Sequence, residues 1–208
     1  MTLRLTPRTF LQQYGLVVSF LALCAVLTLT SNRFFTADNW INILRQSTIN
    51  GIISVGMMLV ILTRGIDLSV GSVLALASVM TADQLQQGVD PLAALGFCLL
   101  VGGALGLING ALVTFIKIPP FIATLGMMTV ARGLALSYTE GQPITGLPEA
   151  FRSWGTGFIG PIPTPIIVAA LIFAAGFVLL TRTPLGRYIF GYGDNDRAAF
   201  FSGLPTHR

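Results

Sequence analysis

Long uncharged apolar runs, separated by short polar segments, limit the possible folds of this sequence more than any other feature. The run at residues 91–116 contains no charged residue, and shorter runs of the same kind occupy much of the chain. About 20 apolar residues in a helix are enough to cross a bilayer core. Charged residues make up 10% of the chain, whereas a soluble domain carries about 25%. The sequence therefore predicts an integral membrane protein.

The predicted fold is an all-α, multi-pass transmembrane bundle of about six spans, with the N-terminus and the C-terminus in the cytoplasm. At about 1.5 Å per residue the third run would be short for a bilayer, so it is either transmembrane or re-entrant. Residues 1–180 form the predicted transmembrane domain, and 181–208 form a cytoplasmic segment. The predicted spans are residues 14–30, 46–62, 68–82, 91–116, 121–139 and 165–180.

Basic residues indicate the orientation, because they concentrate in cytoplasmic loops. With the N-terminus inside, the cytoplasmic side would carry eight basic residues and the outer side three. The net charge of +4 is spread between apolar runs, so nucleic acid is not an expected partner. The eight are Arg4, Arg8, Arg64, Lys117, Arg182, Arg187, Arg197 and Arg208, and the three are Arg33, Arg45 and Arg152.

Residues 63–72, T-R-G-I-D-L-S-V-G-S, lie between two apolar runs and are typical of a hairpin tip where two membrane helices meet water. Asp67 is predicted to cap the helix that follows the hairpin, which is the third predicted span. A carboxylate accepts from free N–H groups and suits the positive end of the helix dipole. Gly65 would permit the turn, Ser69 would share the capping, and Gly71 would allow close packing. The simpler interpretation is a well-capped turn, and the other is an element of an inner gate.

A glycine repeat in the fourth span predicts a packing face. Gly102, Gly106 and Gly110 are four residues apart, so they share one helix face that another backbone can approach closely. Asn109 lies beside this face and could hydrogen-bond a neighbouring helix.

Arg132 lies deep in the fifth predicted span, among apolar neighbours. An arginine at mid-membrane costs about 2.5–3.5 kcal/mol on insertion scales, and such residues usually face a protein interior or an aqueous cavity. One interpretation is snorkelling, or structural pairing with Asn50 or Asn109. The other is a translocation path to which Arg132, Asn50 and Asn109 would contribute.

No catalytic residue, metal site or bound cofactor is expected in this chain. The single histidine, His207, cannot form a His-based triad or a zinc cluster alone. Lys117 is the only lysine and does not belong to a G-x-x-x-x-G-K-[ST] phosphate loop. Cys24 and Cys98 lie inside apolar runs and are not an expected disulfide. In ATP-driven transport, ATP and Mg would therefore bind to another subunit.

The polar segment 181–208 predicts two short helices. Thr183 followed by Pro184 is a favourable helix start. Asp194 or Asn195 can cap a second helix, and Gly203 can end it in left-handed geometry. Such a helix has the form of a docking element, and the alternative is a helix that lies on lipid.

Three segments, in order along the chain, resemble the permease subunit of ribose-type ABC importers. They are the hairpin G-I-D-L-S-V-G-S, the segment I-P-P-F-I-A-T-L-G-M-M-T-V-A-R-G-L-A-L that begins at Ile118, and the tail T-P-L-G-R…G-x-N-x-x-A-A-x-x-S-G. The hairpin residues that match the family are Gly65, Asp67, Leu68, Ser69 and Gly71.

The resemblance implies a bacterial inner-membrane protein that imports a monosaccharide such as ribose or a hexose. It also implies three protein partners: a cytoplasmic ABC ATPase, a periplasmic sugar-binding protein and a second permease copy. The family's coupling helix docks on the ATPase. Carried over to this sequence, its residues are Gly193, Asn195, Ala198, Ala199, Ser202 and Gly203.

Family members continue with further spans beyond this segment, so the sequence resembles a truncated or split permease. Two other function classes stay open at this stage. A secondary transporter or channel would need an ionisable relay in the membrane, and Arg132 is the only charged residue within the predicted spans that could serve. The second of these classes is a permease fragment that has no transport activity of its own.

Overall fold

A computed structural model describes the backbone of residues 7–203 and the side chains of 14–195 and 198–203. Nearly all of its regular structure is helical, which confirms the predicted all-α membrane fold. The helices are α1 (Pro7–Thr30), α2 (Ala37–Leu62), α3 (Val70–Gln86), α4 (Pro91–Thr114), α5 (Pro120–Thr139), α6 (Glu149–Thr156), α7 (Thr164–Arg182), α8 (Pro184–Asp194) and α9 (Asp196–Phe201). The strands are β1 (Phe158–Ile159) and β2 (Ile162–Pro163).

Among the described residues, α2, α4, α5 and α7 are long and apolar enough to cross a membrane. Helix α3 has 17 residues, and the apolar stretch Tyr14–Thr30 of α1 is also shorter than the four. Six spans and cytoplasmic termini therefore stay predictions. Of the residues used for orientation and chemistry, Arg4, His207 and Arg208 lie outside the described part, as do the side chains of Arg8 and Arg197.

The chain divides into two compact units, between Ser47 and Thr48 within α2. In the first unit, three aromatic rings cluster at the turn between α1 and α2. The ring centroid of Phe35 lies 5.7 Å from that of Phe34 and 5.9 Å from that of Trp40. Tryptophan is enriched at membrane–water interfaces, which makes this turn a suitable interfacial anchor.

The core of the second unit is the contact between α3 and α5. Leu76 of α3 is buried against Ala131 and Ala135 of α5. The buried positions of α5 recur every four residues, and they also include Ala123 and Met127. Small side chains at this spacing allow two helix backbones to approach closely. The packing of the unit therefore depends on an alanine-rich face of α5.

No neighbour within the described part of the chain packs closely on the α4 glycine face, so its packing role stays a prediction. A Cβ added at Gly102, Gly106 or Gly110 would meet no atom within 4 Å. Helix α4 is buried instead at Ala94 and Asn109. A small-residue spacing shows that a face can accept a close neighbour, but it does not show which helix will use it.

Helices α2 and α7 do use glycine for close packing. A Cβ at Gly176 of α7 would lie 2.8 Å from Cγ1 of Val55, and a Cβ at Gly51 of α2 would lie 3.2 Å from the ring of Phe173. Each glycine thus leaves room for a side chain of the other helix.

Residues 140–163, which the sequence indicates as a long loop, are partly ordered into α6 and a short hairpin. Strands β1 and β2 pair antiparallel, with Ile159 opposite Ile162. Gly160 lies in the connecting turn with φ 62°, a left-handed conformation that glycine adopts without strain. This segment leads directly into α7.

We expect Ala131→Leu to destabilise the second unit. Ala131 is 0% exposed, and overpacking a buried site of this kind costs about 1–3 kcal/mol. Ala104→Leu is the matched control, because Ala104 is an exposed alanine of α4. Thermal unfolding of both variants in detergent, followed by circular dichroism, measures the difference. Equal unfolding temperatures would contradict the described α3–α5 contact.

Candidate functional site

Helix α2 ends in a turn whose left-handed residue is an arginine. Arg64 has φ 61°, its N–H donates to the Ile61 carbonyl at 2.9 Å, and the N–H of Gly65 donates to the Val60 carbonyl at 2.9 Å. Glycine usually occupies this position of a Schellman motif. Gly65 permits the turn, as predicted, and it does so by leaving space: a Cβ there would lie 2.8 Å from Cγ1 of Val60. The left-handed conformation of the turn belongs to Arg64.

The predicted capping of α3 by Asp67 and Ser69 is also wrong. Ser69 occupies the N-cap position, but its side chain makes no capping hydrogen bond. Oδ1 of Asp67 accepts from the backbone N–H of Ser69 at 2.8 Å and from its hydroxyl at 2.6 Å. This is an Asx turn, in which an aspartate bonds to the backbone two residues further on. Asp67 thus shapes the chain before the helix.

The hydroxyl of Ser69 joins the hairpin to α4. Nδ2 of Asn109 donates to Oγ of Ser69 at 2.9 Å, and both residues are buried. Because the Ser69 hydroxyl gives its proton to Asp67, its oxygen is left to accept from the amide. A continuous hydrogen-bonded chain therefore runs from Asp67 through Ser69 to Asn109. Oδ1 of Asn109 is buried and has no hydrogen-bond partner within the described structure.

Thr124 joins the same hairpin to α5. Its hydroxyl lies 3.1 Å from the Ile66 carbonyl and 2.8 Å from the Pro120 carbonyl, and the two carbonyls share its single proton. The carbonyl of Ile66 belongs to irregular backbone between two helices. Such a group lacks the partner that a regular helix would supply, and Thr124 provides one within the protein.

Arg64 joins the hairpin to the end of α8. Its Nε donates to the Gly193 carbonyl at 2.8 Å, and its Nη2 donates to the Asp194 carbonyl at 2.5 Å. Carbonyls in the last turn of a helix lack intrahelical partners and favour a nearby cation. A Cβ at Gly193 would overlap the carbonyl oxygen of Leu62. The end of α8 therefore lies directly against the end of α2.

The predicted caps of the two tail helices are confirmed. The hydroxyl of Thr183 accepts from the first turn of α8, and Pro184 is the first residue of that helix. Oδ1 of Asn195 accepts from the N–H of Ala198 at 3.0 Å, so Asn195 rather than Asp194 caps α9. Gly203 follows α9 with φ 79°, the left-handed geometry expected of it.

The two alanines predicted as contacts differ in exposure. Ala198 is exposed, whereas Ala199 is only 4% exposed and is therefore buried. The rings of Phe200 and Phe201 are exposed, with centroids 5.7 Å apart. Among the α9 residues whose side chains are described, the accessible ones are therefore Ala198 and the two phenylalanines, whereas Ala199 is buried against the rest of the chain.

A cavity of about 900 Å³ lies beside the hairpin, between α4, α5 and α8. Its size falls in the range of about 300–1,000 Å³ that small-molecule sites occupy. Gly106 and Gly110 of the α4 glycine face contribute to its wall. The polar residues that line the cavity include Thr63, Arg64, Asp67, Asn109, Thr114, Lys117, Thr124, Tyr188 and Tyr192.

The structure does not bring the three predicted translocation residues to one place. Asn109 is buried and lines the cavity, whereas Asn50 and Arg132 are exposed and do not line it. Two other hairpin residues that match the family are less enclosed. Leu68 is partly exposed, and no neighbour in the described chain uses the space at Gly71, where a Cβ would meet no atom within 4 Å.

The sequence did not predict the roles of Thr124 and of the bonds from Arg64 to α8. A signal existed for Thr124, because it lies on the same face of α5 as the buried alanines. No local signal existed for the bond from Arg64 to the Gly193 carbonyl, which lies 129 residues further along the chain.

Residues 39–208 match the family described as branched-chain amino acid transport system / permease component. The chain belongs to this family of permease components. The permease is 44% identical to the ribose import permease protein of Bacillus subtilis, over 95% of the chain and 62% of the relative. It is 40% identical to the ribose import permease protein of Haemophilus influenzae, over 96% of the chain and 63% of the relative. It is 38% identical to the D-allose transport system permease protein of Escherichia coli, over 95% of the chain and 61% of the relative.

These relatives confirm the resemblance to ribose-type permeases. The permease spans less than two thirds of the length of each of these relatives. No solved structure matches it.

We expect Asn109→Leu to lower the stability of the permease, because it removes the bond to Ser69. Interhelical hydrogen bonds of this kind contribute about 0.6–2 kcal/mol in membranes. Asn50→Leu is the control, because Asn50 is exposed. Unfolding in mixed micelles measures both. In a Ser69→Ala background the loss from Asn109→Leu should shrink, and an unchanged loss would contradict the described bond.

We expect Gly193→Ala to separate the end of α8 from α2. Its methyl group would overlap the Leu62 carbonyl, and a steric insertion of this kind costs about 1–3 kcal/mol. Limited proteolysis should then cleave near residue 193 faster than in the unchanged permease. Gly110→Ala is the control, because its Cβ would meet no atom within 4 Å. Equal cleavage rates in the two variants would contradict the close contact.

Proposed function

We propose that this chain forms the membrane-spanning part of the permease subunit of an ABC importer that moves a monosaccharide across the bacterial inner membrane. The observation that carries the proposal is the similarity to ribose and D-allose permeases over about 95% of the chain. The capped helix α9 supplies the docking element that the proposal needs. The protein would be a transport subunit and not an enzyme.

A cytoplasmic ATPase subunit would bind and hydrolyse ATP with Mg, and helix α9 would dock on it. Ala198, Phe200 and Phe201 would contribute to the contact, because they are exposed among the α9 residues whose side chains are described. Gly193, Asn195 and Gly203 would set the start and end of the docking element. Ser202 is exposed next to it and would lie at the edge of the contact. Ala199 would hold α9 in place from the inside.

The orientation places the hairpin, the cavity and α9 on the cytoplasmic side. This arrangement has six spans, with α1 and α3 as the shorter ones, and both termini inside. Residues 1–180 would be the transmembrane domain, and 181–208 the cytoplasmic segment. Arg64 and Lys117, both at the cavity, are among the basic residues that support this orientation.

The sugar would pass the cavity beside the hairpin when the transporter is open to the cytoplasm. Sugar hydroxyls both donate and accept hydrogen bonds, and the lining offers Lys117 and Tyr188 as donors and Asp67 as an acceptor. A periplasmic binding protein would deliver the sugar to the outer side. A second permease copy and the lipid bilayer would surround the exposed helix faces, including those that carry Asn50 and Arg132.

We expect Ala198→Arg to abolish capture of the ATPase subunit. The new side chain would project from the exposed face of α9, where it adds bulk and charge to the docking surface. Ala150→Arg is the matched control, because Ala150 is an exposed alanine of helix α6, on the opposite side in the proposed orientation. Co-purification of the tagged permease with its ATPase measures the effect. Capture that survives Ala198→Arg would refute docking through α9.

A further inference from the structure

The contacts of Arg64 point to a further positioning residue of the transport cycle. We propose that Arg64 transmits a displacement of helix α9 to the hairpin at residues 63–72, and through it to the walls of the cavity. This inference rests on the proposed function only in that an ATPase would produce the displacement.

The two guanidinium hydrogen bonds make the first part of the link. They bind the carbonyls of Gly193 and Asp194, the last two residues of α8. Bonds from a charged donor are stronger than neutral ones, and the planar guanidinium holds both carbonyls at once. When the end of α8 moves, the side chain of Arg64 has to move with it.

Helix α9 follows the end of α8 with a single residue between them. Asn195 ends α8 and caps α9 at the same time, through its bond to the N–H of Ala198. A displacement of α9 therefore acts on Gly193 and Asp194 without a flexible linker. The contact between Gly193 and the Leu62 carbonyl adds a steric stop in one direction.

The hairpin then distributes the movement to two helices. Ser69 is bonded to Asn109 of α4, and Ile66 is bonded to Thr124 of α5. Asn109 and Thr124 both line the cavity. The connection from α9 to both cavity walls is thus made of hydrogen bonds, and it bypasses the covalent route through α7.

The backbone of Arg64 gives an independent reason for this role. Its φ of 61° lies in the left-handed region, where glycine would satisfy the turn without strain. Strained positions of this kind persist where the side chain has a use beyond local structure. Here that use is the pair of bonds to α8.

A test on the purified chain, without the ATPase, measures whether the hairpin responds to a displacement of α9. Ala199 is 4% exposed, so Ala199→Trp cannot be accommodated in place and displaces α9. Hydrogen exchange of the peptide that covers residues 61–69, in the purified full chain, reports on the hairpin. We expect Ala199→Trp to raise its exchange rate about threefold, the lower end of the effects seen between coupled residues.

The same substitution should have a clearly smaller effect on this peptide when Arg64 is replaced by Gln or Gly, with only the contact between Gly193 and the Leu62 carbonyl left. Arg64→Gly serves as the second variant, because it removes the side chain while it relieves the strained backbone, so the turn still forms. Arg187→Gln is the control for lost charge, because Arg187 is an exposed arginine of α8. The response to Ala199→Trp should persist in that background.

Two results would overturn the inference. One is a hairpin response of the same size in the Arg64 variants, and the other is no response in the chain that retains Arg64. Neither depends on an ATPase. Failure of ATPase capture by the unchanged chain would refute the proposed function instead, so the two failures are distinguishable.

Discussion

Irregular backbone between membrane helices needs hydrogen-bond partners from the protein or from water, and in the hairpin between α2 and α3 the protein supplies several of them. Two side chains bond to the backbone of the hairpin: Asp67 accepts from the N–H of Ser69, and Thr124 of α5 donates to the Ile66 carbonyl. Asn109 of α4 donates to the Ser69 hydroxyl, which in turn donates to Asp67. The bond to the Ile66 carbonyl also ties the hairpin to α5, and the bond to the Ser69 hydroxyl ties it to α4. Local structure and tertiary packing therefore depend on one set of contacts.

The sequence predicted the class of fold because composition alone excludes a soluble domain. It also predicted the boundaries of α5 and the caps at Thr183 and Asn195, since proline and capping residues act within a few positions of the chain. Packing partners were not predictable in the same way. The glycine face of α4 and the alanine face of α5 both have the spacing for close approach, and only the second contacts α3.

The candidate site shows the same division between local and distant causes. The hairpin was recognised as the organising element, but Asp67 bonds to Ser69 instead of capping α3, and the left-handed residue is Arg64, because capping and turn geometry depend on single residue positions. Ala199 turns inward while its neighbour Ala198 is exposed, and a helix as short as α9 gives too little pattern to predict this. The bond from Arg64 to Gly193 joins residues 129 positions apart and leaves no trace in either local sequence.

The left-handed arginine has a consequence for protein engineering. A procedure that improves stability position by position would replace Arg64 with glycine, because residue 64 has a φ that glycine adopts without strain. Natural proteins often retain such locally unfavourable residues where function needs them. If the Arg64 side chain couples the end of α8 to the hairpin, the more stable variant would lose this coupling. Thermostable versions of this permease for structural work should therefore keep residue 64 unchanged.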